Sequence, residues 1–209
     1  MSDTSKKLFS HRGFWKEDSQ QNTTEAIIAA FSSGFDVEVD LRVNSSNELV
    51  VGHDIAQEIR WEEVLSCPKR KMIAFHVKEK GLANKIWDLI GDMDYLEYVI
   101  FGVSEEEMAL YVGLFGYDSI AFEYNAGDDF STVYESKNKI IWIAELDGKK
   151  VSKKELILLK SLDKIIYVVT QDCHAGDMLL FGIRINMYAE GFIDGICTDN
   201  PNVIKHYVK

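Results

Sequence analysis

Short runs of β-branched and aromatic residues alternate along this chain with stretches in which apolar residues recur at helical spacing. The runs predict strands at Leu8–Arg12, Val37–Val43, Met72–Lys78, Tyr98–Val103, Ser119–Tyr124, Lys139–Leu146, Lys164–Gln171 and Gly195–Thr198, with a further short strand, Glu48–His53, after the second. Between them Thr23–Ser32 is rich in Ala, and Gly81–Ile90 carries Leu82, Ile86, Leu89 and Ile90 at helical spacing. Ser104 with Glu107, and Ser152 with Glu155, have the spacing of capping boxes at helix starts. Strand–helix alternation predicts a parallel sheet, and eight strands are the number that closes a (β/α)8 barrel. With 209 residues and no Gly/Ser/Pro-rich linker, the expectation is one α/β domain over 1–209, a compact TIM-type (β/α)8 barrel with short helices and loops. An open doubly wound sheet is the alternative.

The alternation inside the strands locates candidate chemistry, because successive side chains face opposite ways. In Val37-Glu38-Val39-Asp40-Leu41 the carboxylates share one face and the aliphatics the other. Facing a barrel interior, two carboxylates need a cation or hydrogen-bond donors, and oxygen ligands suit Mg²⁺ or Ca²⁺. Facing solvent on an edge strand, they need neither. Ala74, His76 and Lys78 share a face in the same way, with His76 and Lys78 near the C-terminal end of their strand, where barrel enzymes place their sites. Glu123 and Glu145 fall late in later strands. His11-Arg12-Gly13 ends the first strand, joining a proton-transfer group, a planar cation and a turn residue. His53-Asp54 ends the short extra strand. Trp15 is either a pocket wall or a core or rim aromatic, and His174 and His206 read as bystanders.

Charge and cysteine usage narrow the partners. A net charge of −11 argues against nonspecific binding to nucleic acid or anionic membranes, both of which require a positive surface. No apolar run approaches the ~18 residues of a membrane span. Cys67, Cys173 and Cys197 are odd in number and widely spaced, which suggests neither a disulfide framework nor a metal knuckle. With no apolar signal-peptide core at the start, the expected location is cytoplasmic. No motif speaks to oligomeric state.

The ordered series His11-Arg12-Gly13, Gln21-Asn22-Thr23, Glu38-Val39-Asp40 and Val50-Val51-Gly52-His53-Asp54 resembles the glycerophosphodiester phosphodiesterase family. Gly195-Ile196-Cys197-Thr198-Asp199-Asn200-Pro201 is similar to that family's closing strand. The strong match covers residues 8–54, with weaker ones at 70–81 and 193–204. The resemblance implies a TIM-type barrel that hydrolyses a small phosphodiester with a divalent metal, Mg²⁺ or Ca²⁺. It implies His11 and His53 as the two catalytic histidines, with His11 read as base and His53 as acid, Arg12 and Lys78 as phosphate contacts, and Glu38 and Asp40 as metal ligands. Three departures from the family pattern stand out: Gln21 for a glutamate, Asn44-Ser45-Ser46-Asn47 for a Thr-x-Asp stretch, and His76 where many members carry a glutamate ligand. His76 is then either a nitrogen ligand or an inward hydrogen-bonded residue, and Glu123 could supply the missing carboxylate. A noncatalytic barrel that binds a phosphorylated ligand, and a lipid-headgroup phosphodiesterase, are the competing functions.

Overall fold

Each expected strand forms within two residues of its expected ends, and a helix follows nearly every one. The computed structural model describes residues 6–145, 149–170, 172 and 178–207. The strands are β1 (Lys7–His11), β2 (Asp36–Val43), β3 (Leu49–Val51), β4 (Ile73–Val77), β5 (Tyr98–Phe101), β6 (Ala121–Asn125), β7 (Ile140–Ala144), β8 (Ile165–Val169) and β9 (Gly195–Thr198). The helices are α1 (Thr24–Ser32), α2 (Trp61–Ser66), α3 (Ala83–Ile90), α4 (Met108–Phe115), α5 (Phe130–Glu135), α6 (Lys153–Ser161), α7 (Met178–Ala189) and α8 (Pro201–Tyr207). All strands but β3 run parallel, and their order is that of an α/β TIM-type barrel, so the doubly wound alternative does not apply. No helix of the described residues is long and apolar enough to cross a membrane. Cys67 and Cys197 are free thiols, whereas Cys173 and His174 lie outside the described residues.

The chain divides into two compact units. One spans Ser10–Ile120; the other takes the chain up to Phe9 and from Ala121 onward. In the first the strand order is β5-β4-β2-β1, with β3 antiparallel on β2. Strand β2 is therefore central, and its residues from Asp36 to Leu41 are buried on both faces. That removes the solvent-facing edge-strand reading of Glu38 and Asp40. Val37, Val39 and Leu41 are buried, as are Ile27, Ala30 and Phe31 of α1. Each such large apolar side chain contributes roughly 1.5–3 kcal/mol on burial. Helix α1 starts where the sequence sets it: Thr23 is the N-cap, and its hydroxyl accepts from the Ala26 N–H.

In the second unit the order is β1-β9-β8-β7-β6. Along β7, Ile141 and Ile143 pack with Leu156 and Leu159 of α6 and Phe181 and Ile185 of α7. Trp142, between them, turns to the other face and meets Phe9 and Tyr167 edge-on, with ring centroids 5.4 and 5.9 Å away. Glu145, expected among the inward polar residues, is fully buried and ion-paired with Arg184 of α7, and its Oε1 accepts from the Val151 N–H. It anchors a helix and the return of the chain, a structural role.

The two capping boxes part ways. Ser152 and Glu155 form theirs reciprocally at the start of α6. Ser104 and Glu107 do not: α4 begins later, with Glu107 as an N-cap that makes no side-chain cap bond. The Glu107 carboxylate instead accepts from the Gly81 N–H ahead of α3, at 2.8 Å, and the Ser104 hydroxyl is buried with no hydrogen-bond partner among the described residues. A tertiary acceptor role outcompeted the local box. Ser152→Ala should therefore cost about 1 kcal/mol in urea unfolding, whereas Ser104→Ala should be neutral or slightly stabilising, since it removes an unpaired buried hydroxyl.

Candidate metal centre

Register brings the candidate residues together. Strands β2 and β4 pair in parallel with Glu38 opposite Ala74 and Asp40 opposite His76, and β4 pairs with β5 so that His76 stands opposite Phe101. Asp40, His76 and Phe101 thus form one row across three strands, with Glu38 two residues before Asp40 on the same face. Glu38 and Asp40 are 2% and 1% exposed. His76 Nδ1 lies 3.7 Å from Glu38 Oε1 and 3.2 Å from Asp40 Oδ1. Glu38, Asp40 and His76 each offer a ligand atom within 4.8 Å of the others, a group that could hold a metal ion. Glu123 is half-buried on β6, in the other unit, and is not one of this group.

The donor set fits a cation because each carboxylate is anchored through one oxygen and presents the other. Glu38 Oε2 accepts from the Arg12 N–H at 3.2 Å, and Asp40 Oδ2 accepts from Asn22 Nδ2 at 3.0 Å with Arg12 Nε 3.1 Å away. Oε1 and Oδ1 face His76. Such outer contacts orient ligands in metal sites. Lys78 Nζ stands 3.9 Å from Asp40 Oδ1, so Arg12 and Lys78 place two fixed positive charges beside the two carboxylates.

The loop after β1 reaches the centre through a backbone that few side chains adopt. Arg12 and Asn22 both have left-handed backbone, φ 58° and 57°, at roughly 1–2 kcal/mol each. Their segments are tied by the Asn22 N–H donating to the Arg12 carbonyl at 2.8 Å. Asn22 bonds Asp40 twice, its Oδ1 accepting from the Asp40 N–H at 3.1 Å. Gln21 accepts from Arg12 Nη1 at 3.0 Å and so gives the guanidinium a neutral acceptor. His11 is buried, its Nε2 3.9 Å from Glu38 Oε2. Trp15 is half-buried and donates from Nε1 to the His11 carbonyl at 2.9 Å, which makes it a brace for that strand end.

The β2–β3 hairpin delivers His53. The Gly52 N–H donates to the Asp40 carbonyl at 3.0 Å, which carries the chain past the centre. Gly52 has φ 140°, and a Cβ there would lie 1.9 Å from the Ile55 carbonyl oxygen, so only glycine fits. His53 is partly exposed, and its Nδ1 contacts Asp54 Oδ1 at 2.9 Å. Arg42 Nε donates to the Gly52 and His53 carbonyls at 3.0 and 2.8 Å, and Glu79 pairs with Arg42 while accepting from the Val43 N–H. Sequence reasoning assigned no role to Asn22, Arg42, Glu79 or Phe101. The signal for Arg42 was available: it lies two residues after Asp40, on the carboxylate face.

Burial by itself would raise the Asp40 carboxyl, but the His76 hydrogen bond and charge, with Arg12 and Asn22, overcome it and hold Asp40 well below the usual carboxylate range. His53, through its hydrogen bond and then its charge, lowers Asp54 as well. A carboxyl held below its unfolded value of about 3.9 adds stability that is complete above that pH and is lost as pH falls toward the folded value. In chelator, the wild-type protein should therefore lose about 1.4 kcal/mol per pH unit more steeply than Asp40→Asn below about pH 4. Urea unfolding from pH 3 to 7 measures both slopes; parallel slopes would remove Asp40 from this accounting.

No family model and no curated protein matches the sequence. Solved structures do. A structure from Galdieria sulphuraria assigned to the glycerophosphodiester phosphodiesterases superposes with a TM-score of 0.75 at 14% identity, over 97% of each chain. An Oleispira antarctica phosphodiesterase, solved in complex with its product sn-glycerol-3-phosphate, gives 0.71 at 12% identity, over 97% of this chain and 96% of that one. The glycerophosphodiester phosphodiesterase of Thermotoga maritima gives 0.64 at 18%, over 95% and 96%. Across nearly its whole length, the chain has the fold of the glycerophosphodiester phosphodiesterases.

Proposed function

We propose that the protein hydrolyses a small phosphodiester, most simply a glycerophosphodiester, at the Glu38–Asp40–His76 centre. The observation that carries this reading is the buried carboxylate pair with His76, set beside His11 and Arg12 at the C-terminal end of β1 and Lys78 just past that of β4. That is the end at which barrels of this class do chemistry. Glu38, Asp40 and His76 would hold a divalent cation, which when bound neutralises phosphate charge and stabilises the charge that develops on its oxygens.

The chain's own residues supply the rest. Arg12 and Lys78 take the anionic substrate and carry the added negative charge of the transition state. His11 removes the proton from the attacking hydroxyl, which for a glycerol diester is the neighbouring alcohol and benefits from proximity. The new P–O bond closes a cyclic phosphate as the bond to the leaving alkoxide breaks, and water then opens the ring. His53 protonates the leaving oxygen. Its Nδ1 engages Asp54, which orients the ring and leaves Nε2 to deliver the proton.

A ³¹P NMR time course with glycerophosphocholine, glycerophosphoethanolamine, glycerophosphoglycerol and a lysophospholipid, in added divalent metal and in chelator, tests the reading. We expect metal-dependent product from a glycerophosphodiester, with His11→Ala and His53→Ala each slower by roughly 10²–10⁴. Turnover confined to the lysophospholipid would make the protein a headgroup phosphodiesterase. Metal and substrate binding without turnover would make it a binding protein.

A further inference from the structure

We propose that this centre selects a first-row transition cation, of the kind represented by Co²⁺ and Zn²⁺, over the hard cations Mg²⁺ and Ca²⁺, because its third donor is the imidazole Nδ1 of His76. The inference rests on the reading of Glu38, Asp40 and His76 as a metal site and sharpens which metal that is.

Three features of the site lead to it. The first is oxygen count. Arg12 and Asn22 occupy Glu38 Oε2 and Asp40 Oδ2, so the carboxylates present one oxygen each, Oε1 and Oδ1. Ca²⁺ takes 6–8 oxygen ligands, and two oxygens and a nitrogen start that shell poorly. Three protein ligands with room for others is the pattern of catalytic zinc sites, and imidazole suits Zn²⁺ and its transition neighbours.

The second is charge. A glutamate at position 76 would bring a third negative charge, whereas a neutral imidazole brings none. Arg12 and Lys78, 3.1 and 3.9 Å from Asp40, oppose any cation. A hard ion held chiefly by charge loses most from this balance, while a transition ion recovers affinity through its bond to nitrogen.

The third is preorganisation. His76 is stacked on Phe101 at a centroid distance of 4.4 Å and an interplanar angle of 21°. Gly102 leaves the ring its place: a Cβ there would sit 2.7 Å from His76 Cδ2 and displace it. Ring and register together commit Nδ1 to the carboxylates. Its separations from them, 3.7 and 3.2 Å, are of a size that one ion bridges with bonds of about 2.0–2.2 Å.

Calorimetric titration of the chelator-stripped full-length protein with Zn²⁺, Co²⁺, Mg²⁺ and Ca²⁺ tests this without reference to turnover. Mixed nitrogen–oxygen sites favour Zn²⁺ in general, so the deciding quantity is the change in the Zn²⁺ to Mg²⁺ affinity ratio. His76→Glu should lower that ratio by at least about tenfold. His76→Gln, which adds no charge, should weaken Zn²⁺ and Co²⁺ while leaving Mg²⁺ nearly unchanged. In ¹⁵N-histidine-labelled protein, Zn²⁺ should shift the Nδ1 resonance of His76 into the metal-bound range, and that resonance should be missing from His76→Glu. A Zn²⁺ to Mg²⁺ ratio unchanged in both variants, or a His76 Nδ1 resonance that ignores Zn²⁺, would overturn the inference while leaving a metal site on Glu38 and Asp40 intact. Failure of all four ions to bind would overturn the metal-site reading itself.

Discussion

Two carboxylates on one face of a strand buried from Asp36 to Leu41 are the constraint around which the site is built. Glu38 and Asp40 are 2% and 1% exposed, and a buried charge without a partner is among the costliest features a fold can carry. The chain answers from three directions. The β1 loop brings a backbone N–H and a guanidinium, the start of α1 brings Asn22, and β4 brings His76 and Lys78. Left-handed backbone at Arg12 and Asn22 is the strain accepted to aim those donors.

The same anchoring accounts for the chemistry. Donors hold one oxygen of each carboxylate and leave its twin facing His76, so the group that solves a burial problem also presents a ligand set. A second tier fixes the moving parts. Arg42 grips the Gly52 and His53 carbonyls and is itself neutralised by Glu79, so His53 projects from a braced turn while remaining open to solvent. His76 is braced by the stacked Phe101 ring, beside a glycine, Gly102, that leaves it room. Placing reactive groups on strand ends and short tied loops suits a site that must hold its geometry.

Much of the fold was legible because its signal is local. Strand runs and the Ser152–Glu155 box depend on residues a few positions apart, and both formed as expected. The Ser104–Glu107 box has the same local signal but did not form, because Gly81, far away in sequence, offered Glu107 a better use as an acceptor. Glu145 likewise carried the pattern of a late-strand site residue, yet Arg184 on α7 claimed it. A carboxylate's partner is chosen in space, and nothing within a few residues of Glu107 or Glu145 announces the choice.

Alternation within a strand is a property of extended backbone, so the sequence alone determined that Glu38 and Asp40 share a face, and that His76 and Lys78 share another. It could not determine that these two faces meet. The parallel register that sets Asp40 opposite His76, and His76 opposite Phe101, depends on crossover connections whose lengths and helix packing act across dozens of residues. Tertiary structure alone decided that His76 joins the carboxylates through Nδ1, that Asn22 bonds Asp40 on two sides, and that Arg42 braces His53. Each of those contacts joins segments that only the packed strands bring within a few ångströms.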